Sequence, residues 1–182
     1  HLMKNLYSQG IKEFIICCGY KGIKIKEFFL NYGLHNSDIF YDGNTQKVEI
    51  LKTDNEDWKI ICADTGLNTM TGGRLKKIDN YLSDDEPFFM TYGDGLSNID
   101  INELLNFHKK NPALATLTSV VPPGRFGSLK IENDKVSKFI EKPEGEGSFV
   151  NGGYFILEKK VLSLIEGCLL YTSPSPRDQE AS

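Results

Sequence analysis

A single carboxylate with a glycine on each side, Gly93-Asp94-Gly95, follows the apolar run Phe88-Phe89-Met90. Such a run predicts a strand buried on both faces. In open parallel sheets, ligands bind in the crevice beyond the carboxyl ends of the strands. A carboxylate there is a hard oxygen ligand suited to Mg²⁺, and flanking glycines let a phosphate chain approach the backbone. Asp and Gly are also ordinary turn residues, so the tripeptide by itself reads first as a strand-to-loop turn.

Other groups of residues carry related chemistry. Thr69-Met70-Thr71-Gly72-Gly73-Arg74 opens a predicted helix. Its paired glycines would leave backbone N–H groups accessible at an end that favours anions. Arg74, one turn in, adds a forked cation for a phosphate or ribose, whereas Lys76 and Lys77 are assigned to the solvated face. A plain loop hinge before a helix explains the glycine pair equally well. In Glu141-Lys142-Pro143 a predicted strand runs into a proline stop. Glu141 would accept hydroxyl protons of a sugar, and Lys142 offers a point charge to a monoester phosphate. Asn151-Gly152-Gly153 interrupts a strand, which marks close approach of a ligand or of another backbone. The Asn151 amide could then bond a sugar hydroxyl, and Phe126-Gly127 is a similar place of close approach. His1, His35 and His108 fit no triad or metal spacing and are read as structural, and Trp58 as a packing residue.

The elements that must position these groups alternate in the manner of an α/β sheet. A helix ending at Gln9 and closed by Gly10 precedes the strand Glu13–Cys18, a turn at 19–22 and a helix over 23–31. Short strands are predicted at 39–41, 48–51 and 60–63, with a hairpin turn at Asp42-Gly43-Asn44. A helix from Thr69 to about Leu82 leads to the strand ending at Asp94. Asp100 is the expected N-cap of a helix reaching Lys110, with Glu103 at capping-box spacing. Strands follow at 115–121, 128–132, 136–140 and 149–157, and a last helix starts near Glu158.

The 182 residues are 40% hydrophobic and 25% charged, an ordinary globular composition. A net charge of −4 argues against nucleic acid as a partner, and the chain shows no apolar run of membrane-spanning length. Cysteines 17, 18, 62 and 168 lack metal spacing and read as reduced thiols of a cytoplasmic protein. One domain is expected over residues 1–167. Residues 168–182, Ser/Pro-rich and without periodicity, are expected to be a disordered, non-native tail.

Taken in order, FIICCGYKG (14–22), TMTGGRLK (69–76), TYGDG (91–95), PPGRFG (122–127), EKP (141–143) and NGGYF (151–155) resemble the sugar-1-phosphate nucleotidyltransferases. The first two pieces are most similar to the branch formed by the glucose-1-phosphate cytidylyltransferases. The resemblance implies a Rossmann-like α/β fold, its mixed and mainly parallel sheet flanked by helices on both faces. It also implies CTP and α-D-glucose 1-phosphate as partners, CDP-glucose and diphosphate as products, and Mg²⁺ as cofactor. It assigns Asp94 to the metal, Gly93, Thr69 and Arg74 to the nucleotide, Lys142 to the sugar phosphate, and Glu141, Asn151 and Gly127 to the sugar. Members assemble as homo-oligomers. The family's Gly-rich triphosphate loop would precede His1, and its second metal-binding aspartate would follow residue 167. The chain as given is therefore expected to be an inactive fragment. The alternatives are a relative that uses dTTP, UTP or GTP, and a non-catalytic sugar-nucleotide-binding protein.

Overall fold

A computed structural model describes residues 1–53, 56–121, 128–132, 135–140 and 149–166. The chain divides into two compact units, Met3–Glu86 with the segment from Lys159 onward, and Pro87–Glu158.

In the first unit, helix α1 (Leu2–Ser8) ends as expected at Gly10, whose φ of +98° is costly for any residue with a Cβ. Strand β1 (Glu13–Cys18), helices α2 (Gly22–Leu30) and α3 (Tyr32–His35), strands β2 (Ser37–Asp42), β3 (Lys47–Thr53) and β4 (Lys59–Asp64), and helix α4 (Thr71–Lys77) follow. β1 and β4 pair in parallel, from Glu13 opposite Lys59 to Cys18 opposite Asp64. Between them β2 and β3 form an antiparallel ribbon. Its turn is held by Asp42, whose Oδ1 accepts from the Asn44 amide at 2.9 Å. The helix expected to reach Leu82 instead stops at Lys77 and continues as a 3₁₀ turn, Asp79–Tyr81.

Trp58 precedes β4 and packs against Tyr7, Phe14 and Tyr32, with ring centroids 6.3, 6.1 and 5.2 Å away. Packing is thus its observed role, and one ring ties α1, α3 and β1 to the start of β4. Beside this cluster Glu56 accepts hydrogen bonds from Tyr32 Oη at 2.6 Å and Lys4 Nζ at 2.7 Å. The Lys4 bond, followed by the Tyr32 bond, lowers the Glu56 carboxyl from its ordinary 4.5 to about 2.

The second unit contains β5 (Phe88–Thr91), α5 (Ile101–Lys110), β6 (Ala115–Val120), the antiparallel hairpin β7 (Ser128–Glu132) and β8 (Lys135–Ile140), and β9 (Val150–Leu157). β9 lies between β5 and β6 and runs antiparallel to both. β5 and β6 are therefore parallel to each other and joined through α5. Parallel and antiparallel pairs are both present, but of the strand pairs described only β1–β4 is parallel, because β9 inserts between β5 and β6 and the two ribbons pair antiparallel. That insertion also bears on β5. With β9 as its only described neighbour, each of Phe88–Thr91 is half-buried, where burial on both faces was expected. The helix expected from Glu158 is a 3₁₀ segment, Lys159–Leu164, in the first unit.

The strand run 115–157 and the N-cap are as expected: Asp100 Oδ1 accepts from the amides of Asn102 and Glu103 at 2.8 and 3.0 Å. On α5, His108 is 3% exposed. Its Nδ1 bonds Thr116 Oγ1 at 2.8 Å and its Nε2 meets Glu158 Oε1 at 3.2 Å, so one ring links α5, β6 and the end of β9. Its structural assignment therefore stands.

Two outcomes follow for stability. Thr116→Val keeps the side-chain volume and leaves a buried ring nitrogen unpaired, so it should cost about 1–3 kcal/mol in urea unfolding. Glu56 has its pKa lowered in the folded chain, so its contribution is complete above the unfolded value and is lost as pH falls from 4.5 towards about 2. Glu56→Gln should therefore lower the urea midpoint near neutral pH, with the gap to the parent closing through that window. A gap independent of pH would refute the assignment.

Candidate functional site

The loop joining β4 to α4 starts at the carboxyl ends of the two parallel strands, and its shape is dictated by Asp64-Thr65-Gly66. Asp64 Oδ1 accepts from the Gly66 amide at 3.0 Å, and Gly66 takes φ +87°, which closes a tight turn. Thr65 is 0% exposed. Its amide and its hydroxyl both donate to the Cys18 carbonyl, at 2.9 and 2.8 Å, so the loop is bonded to the last residue of β1.

Arg74 completes this arrangement from the first turn of α4. Its Nη1 donates to Thr65 Oγ1 at 2.5 Å and to the Cys18 carbonyl at 3.3 Å, while Nη2 reaches the Leu67 carbonyl at 3.4 Å. The guanidinium lies over Gly19, where a Cβ would come within 2.5 Å of Nη2, so glycine at that position makes room for the arginine. Lys77 donates to the Thr65 carbonyl at 2.9 Å and to Thr69 Oγ1 at 3.1 Å. Lys76 Nζ donates to the Ile165 carbonyl at 2.9 Å. Both lysines are exposed, as expected of a solvated face, while their ammonium groups also reach carbonyls. Gly72 and Gly73 are buried, so the pair serves packing of α4 and not the accessible backbone expected of it. Burial pushes the Cys17 thiol up, against the pull of Arg74, and burial followed by Cys62 does the same for Cys18. Raised thiols of this kind are poor nucleophiles.

Among the candidate residues the first unit therefore brings together Thr69 and Arg74, through Thr65 and Lys77. Thr65 was not singled out in the sequence, and Lys77 was read there only as a solvated charge. The Asp-Thr-Gly turn signal was visible, but a threonine whose three polar groups all face inward has no signature of its own.

In the second unit Gly93 and Asp94 are exposed in the turn that follows β5, and no atom lies within 4 Å of where a Cβ on Gly93 or Gly95 would stand. The turn is tied down from β9: Tyr154 Oη donates to the Gly95 carbonyl at 3.0 Å, and Thr91 Oγ1 donates to the Gly153 carbonyl at 2.9 Å. Asn151 Oδ1 accepts from the Gly153 amide at 2.8 Å. The close approach read from Gly152-Gly153 is made by protein groups. A Cβ on Gly152 would meet Thr118 Oγ1 at 2.7 Å, and Gly153, at φ +81°, would meet the Tyr92 ring at 3.2 Å. Gly93, Asp94 and Asn151 thus belong to one sheet and its end. Gly127, Glu141 and Lys142 lie outside the described residues.

Among the described residues no group of three or more His, Cys, Asp or Glu could hold a metal. Asp94 offers one exposed carboxylate. That fits Mg²⁺, which in nucleotide sites takes one or two carboxylates and completes its octahedron with phosphates and water. No helix among the described residues is long and apolar enough to cross a membrane.

The protein family described as nucleotidyl transferase matches residues 1–180. The chain is 48% identical over 166 residues to a glucose-1-phosphate cytidylyltransferase of Salmonella typhi, which covers 91% of this chain and 65% of that protein. It is 39% identical over 165 residues to a probable glucose-1-phosphate cytidylyltransferase of Bacillus subtilis, covering 91% of this chain and 64% of the relative. The chain thus spans just under two thirds of the length of these curated relatives. Among solved structures, HddC from Yersinia pseudotuberculosis shares the fold with a TM-score of 0.57 at 22% identity, over 93% of this chain and 66% of that one.

The bonded loop carries its own test. Thr65→Val removes the hydroxyl between Arg74 and Cys18 and should destabilise the chain by about 1–3 kcal/mol. Thr65→Ser, which restores the hydroxyl, should recover most of the loss in the same unfolding measurement. Equal losses for the two variants would place the effect in packing.

Proposed function

The chain belongs to the nucleotidyl transferase family, and from that premise we propose that its residues serve cytidylyl transfer from CTP to α-D-glucose 1-phosphate, yielding CDP-glucose and diphosphate. The observation that carries this reading is the 48% identity, sustained over 166 residues, to the Salmonella typhi cytidylyltransferase.

In this reaction an oxygen of the sugar phosphate attacks the α-phosphorus of CTP. The new oxygen–phosphorus bond forms as the bond to the β-phosphate oxygen breaks in line, and diphosphate leaves with that electron pair. No covalent protein intermediate is needed, so the work of the protein is positioning and charge stabilisation. Arg74 and Thr69 hold the nucleotide from the loop after β4. The bonds Arg74 makes to Cys18, Thr65 and Leu67 fix its plane, and a guanidinium has five N–H donors, so some remain for phosphate or ribose oxygens. Gly93, without a side chain, admits the nucleotide beside Asp94. Lys142 neutralises the phosphate of glucose 1-phosphate, while Glu141, Asn151 and Gly127 surround the sugar. Asp94 would hold Mg²⁺, which supplies positive charge to the triphosphate when bound.

Exchanging the 166 aligned residues into the Salmonella typhi relative tests the assignment. The chimera should form CDP-glucose from CTP and glucose 1-phosphate, with CTP preferred over dTTP, UTP and GTP by at least tenfold in kcat/KM. Asp94→Asn in that chimera should lower kcat by about 10²–10³, the usual effect of removing one group that stabilises transition-state charge. A folded chimera that binds CTP without turnover, or that prefers another base, would overturn the reading.

A further inference from the structure

The first unit contains a cavity of about 580 Å³ that shares no residue with the loop holding Arg74. Ile60 and Cys62, which alternation puts on one face of β4, line it together with Phe29 of α2, Tyr32 of α3 and Trp58. Its volume falls within the roughly 300–1,000 Å³ of small-molecule sites, which are mostly apolar with a few convergent polar groups. The unsatisfied polar groups of this cavity are donors. The Trp58 indole Nε1–H is buried without a hydrogen-bond partner, the one such side-chain atom among the described residues. Lys26, half-buried on α2, also lines the cavity and has no hydrogen-bond or ion-pair partner among the described residues. The lining carboxylate, Glu56, is already engaged. Its Oε2 accepts from Tyr32 at 2.6 Å and its Oε1 from Lys4 at 2.7 Å, which offsets its charge. A buried donor without an acceptor costs stability, so it marks a place where an acceptor belongs.

We propose that this cavity binds a small aromatic carboxylate, its ring against the aromatic wall and its acceptor oxygens serving the Lys26 ammonium and the Trp58 N–H. The wall is continuous: ring centroids of Phe29 and Tyr32 are 6.2 Å apart, and those of Tyr32 and Trp58 5.2 Å apart. A flat ring stacks on such a surface, and its burial supplies most of the binding energy. Charge selects an anion. A cationic ligand would meet the unpaired ammonium of Lys26 and a carboxylate already neutralised by Lys4. A single ammonium matches the one negative charge of a carboxylate better than the two of a phosphate monoester. The inference rests on this cavity alone and is independent of the proposed reaction.

The chain has a single tryptophan, so its indole N–H gives one resonance in a proton–nitrogen correlation spectrum. Titrating 2-naphthoate into the 182-residue chain should move that resonance downfield to saturation, and calorimetry should find one site per chain. 2-Naphthol, with the same rings and no charge at neutral pH, should bind at least tenfold more weakly. Lys26→Met should bring naphthoate down to the level of naphthol. Leu30→Glu, at a lining position that is 83% exposed, sets a carboxylate at the cavity and should weaken naphthoate at least tenfold. Lys24→Met, on the same helix but paired with Glu27, should leave binding unchanged. The backbone amides of the β1–β4 pair report whether each variant is folded, and two cavity variants keep the test decisive if one is not. The inference is overturned by an absence of saturable binding, by an indole resonance that stays fixed while naphthoate binds, or by equal affinity for naphthoate and naphthol. Full affinity in a folded cavity variant overturns it as well.

Discussion

The carbonyl of Cys18 is where the first unit converges. It ends β1, and it receives the amide and the hydroxyl of Thr65 and the guanidinium of Arg74. One oxygen thereby joins the end of a strand, the turn that leaves its parallel neighbour, and the helix that follows. Bonds that involve an ionised donor are stronger than neutral ones, and here the cation bonds the very groups that shape the loop. Glycine at position 19 and the left-handed glycine at position 66 are consequences of that crowding, since a Cβ at either would meet Arg74, or Thr69 and Lys77. Any ligand bound at Arg74 is bound to a group whose orientation the backbone of β1 already sets.

Much of this was legible in the residues themselves. The alternation of strands and helices, the Gly10 stop, the ribbon turn at Asp42 and the Asp100 cap each rest on a local signal: a period, a positive φ, or a side chain within three residues of its partner. What was not legible depends on groups distant in sequence. The placement of β9 between β5 and β6 reverses the pairing expected for β5, and nothing in FFMT announces an antiparallel neighbour more than fifty residues away. Lys76 and Lys77 are exposed as read, but the carbonyls that accept from them, at Ile165 and Thr65, leave no mark on composition. The candidate site divides along the same line. Arg74 and Asp94 were singled out by the company they keep, whereas Thr65, which holds Arg74, emerges only by its bonds.

The glycines of Asn151-Gly152-Gly153 show how one signal can serve two ends. Within the strand they admit Thr118 and Tyr92, which is a packing role. The same turn of backbone brings Thr91 against Gly153 and Tyr154 against Gly95, so the loop that carries Asp94 is tied to β9. The close contact that excludes a Cβ lies beside the bonds that tie the turn carrying the exposed Asp94 carboxylate to β9.

The strand order β5-β9-β6 has a kinetic consequence. During synthesis β5 and β6 leave the ribosome with the helix between them, but neither has its partner until the chain has been made through Leu157. Closure of the sheet is therefore a long-range event with a high loop-entropy cost, of the kind that slows folding. Until then the unpaired backbone edges of two strands wait open to any other chain. The second unit is thus most vulnerable to mispairing as a nascent chain, since the strand that closes it is the last of that unit to be made.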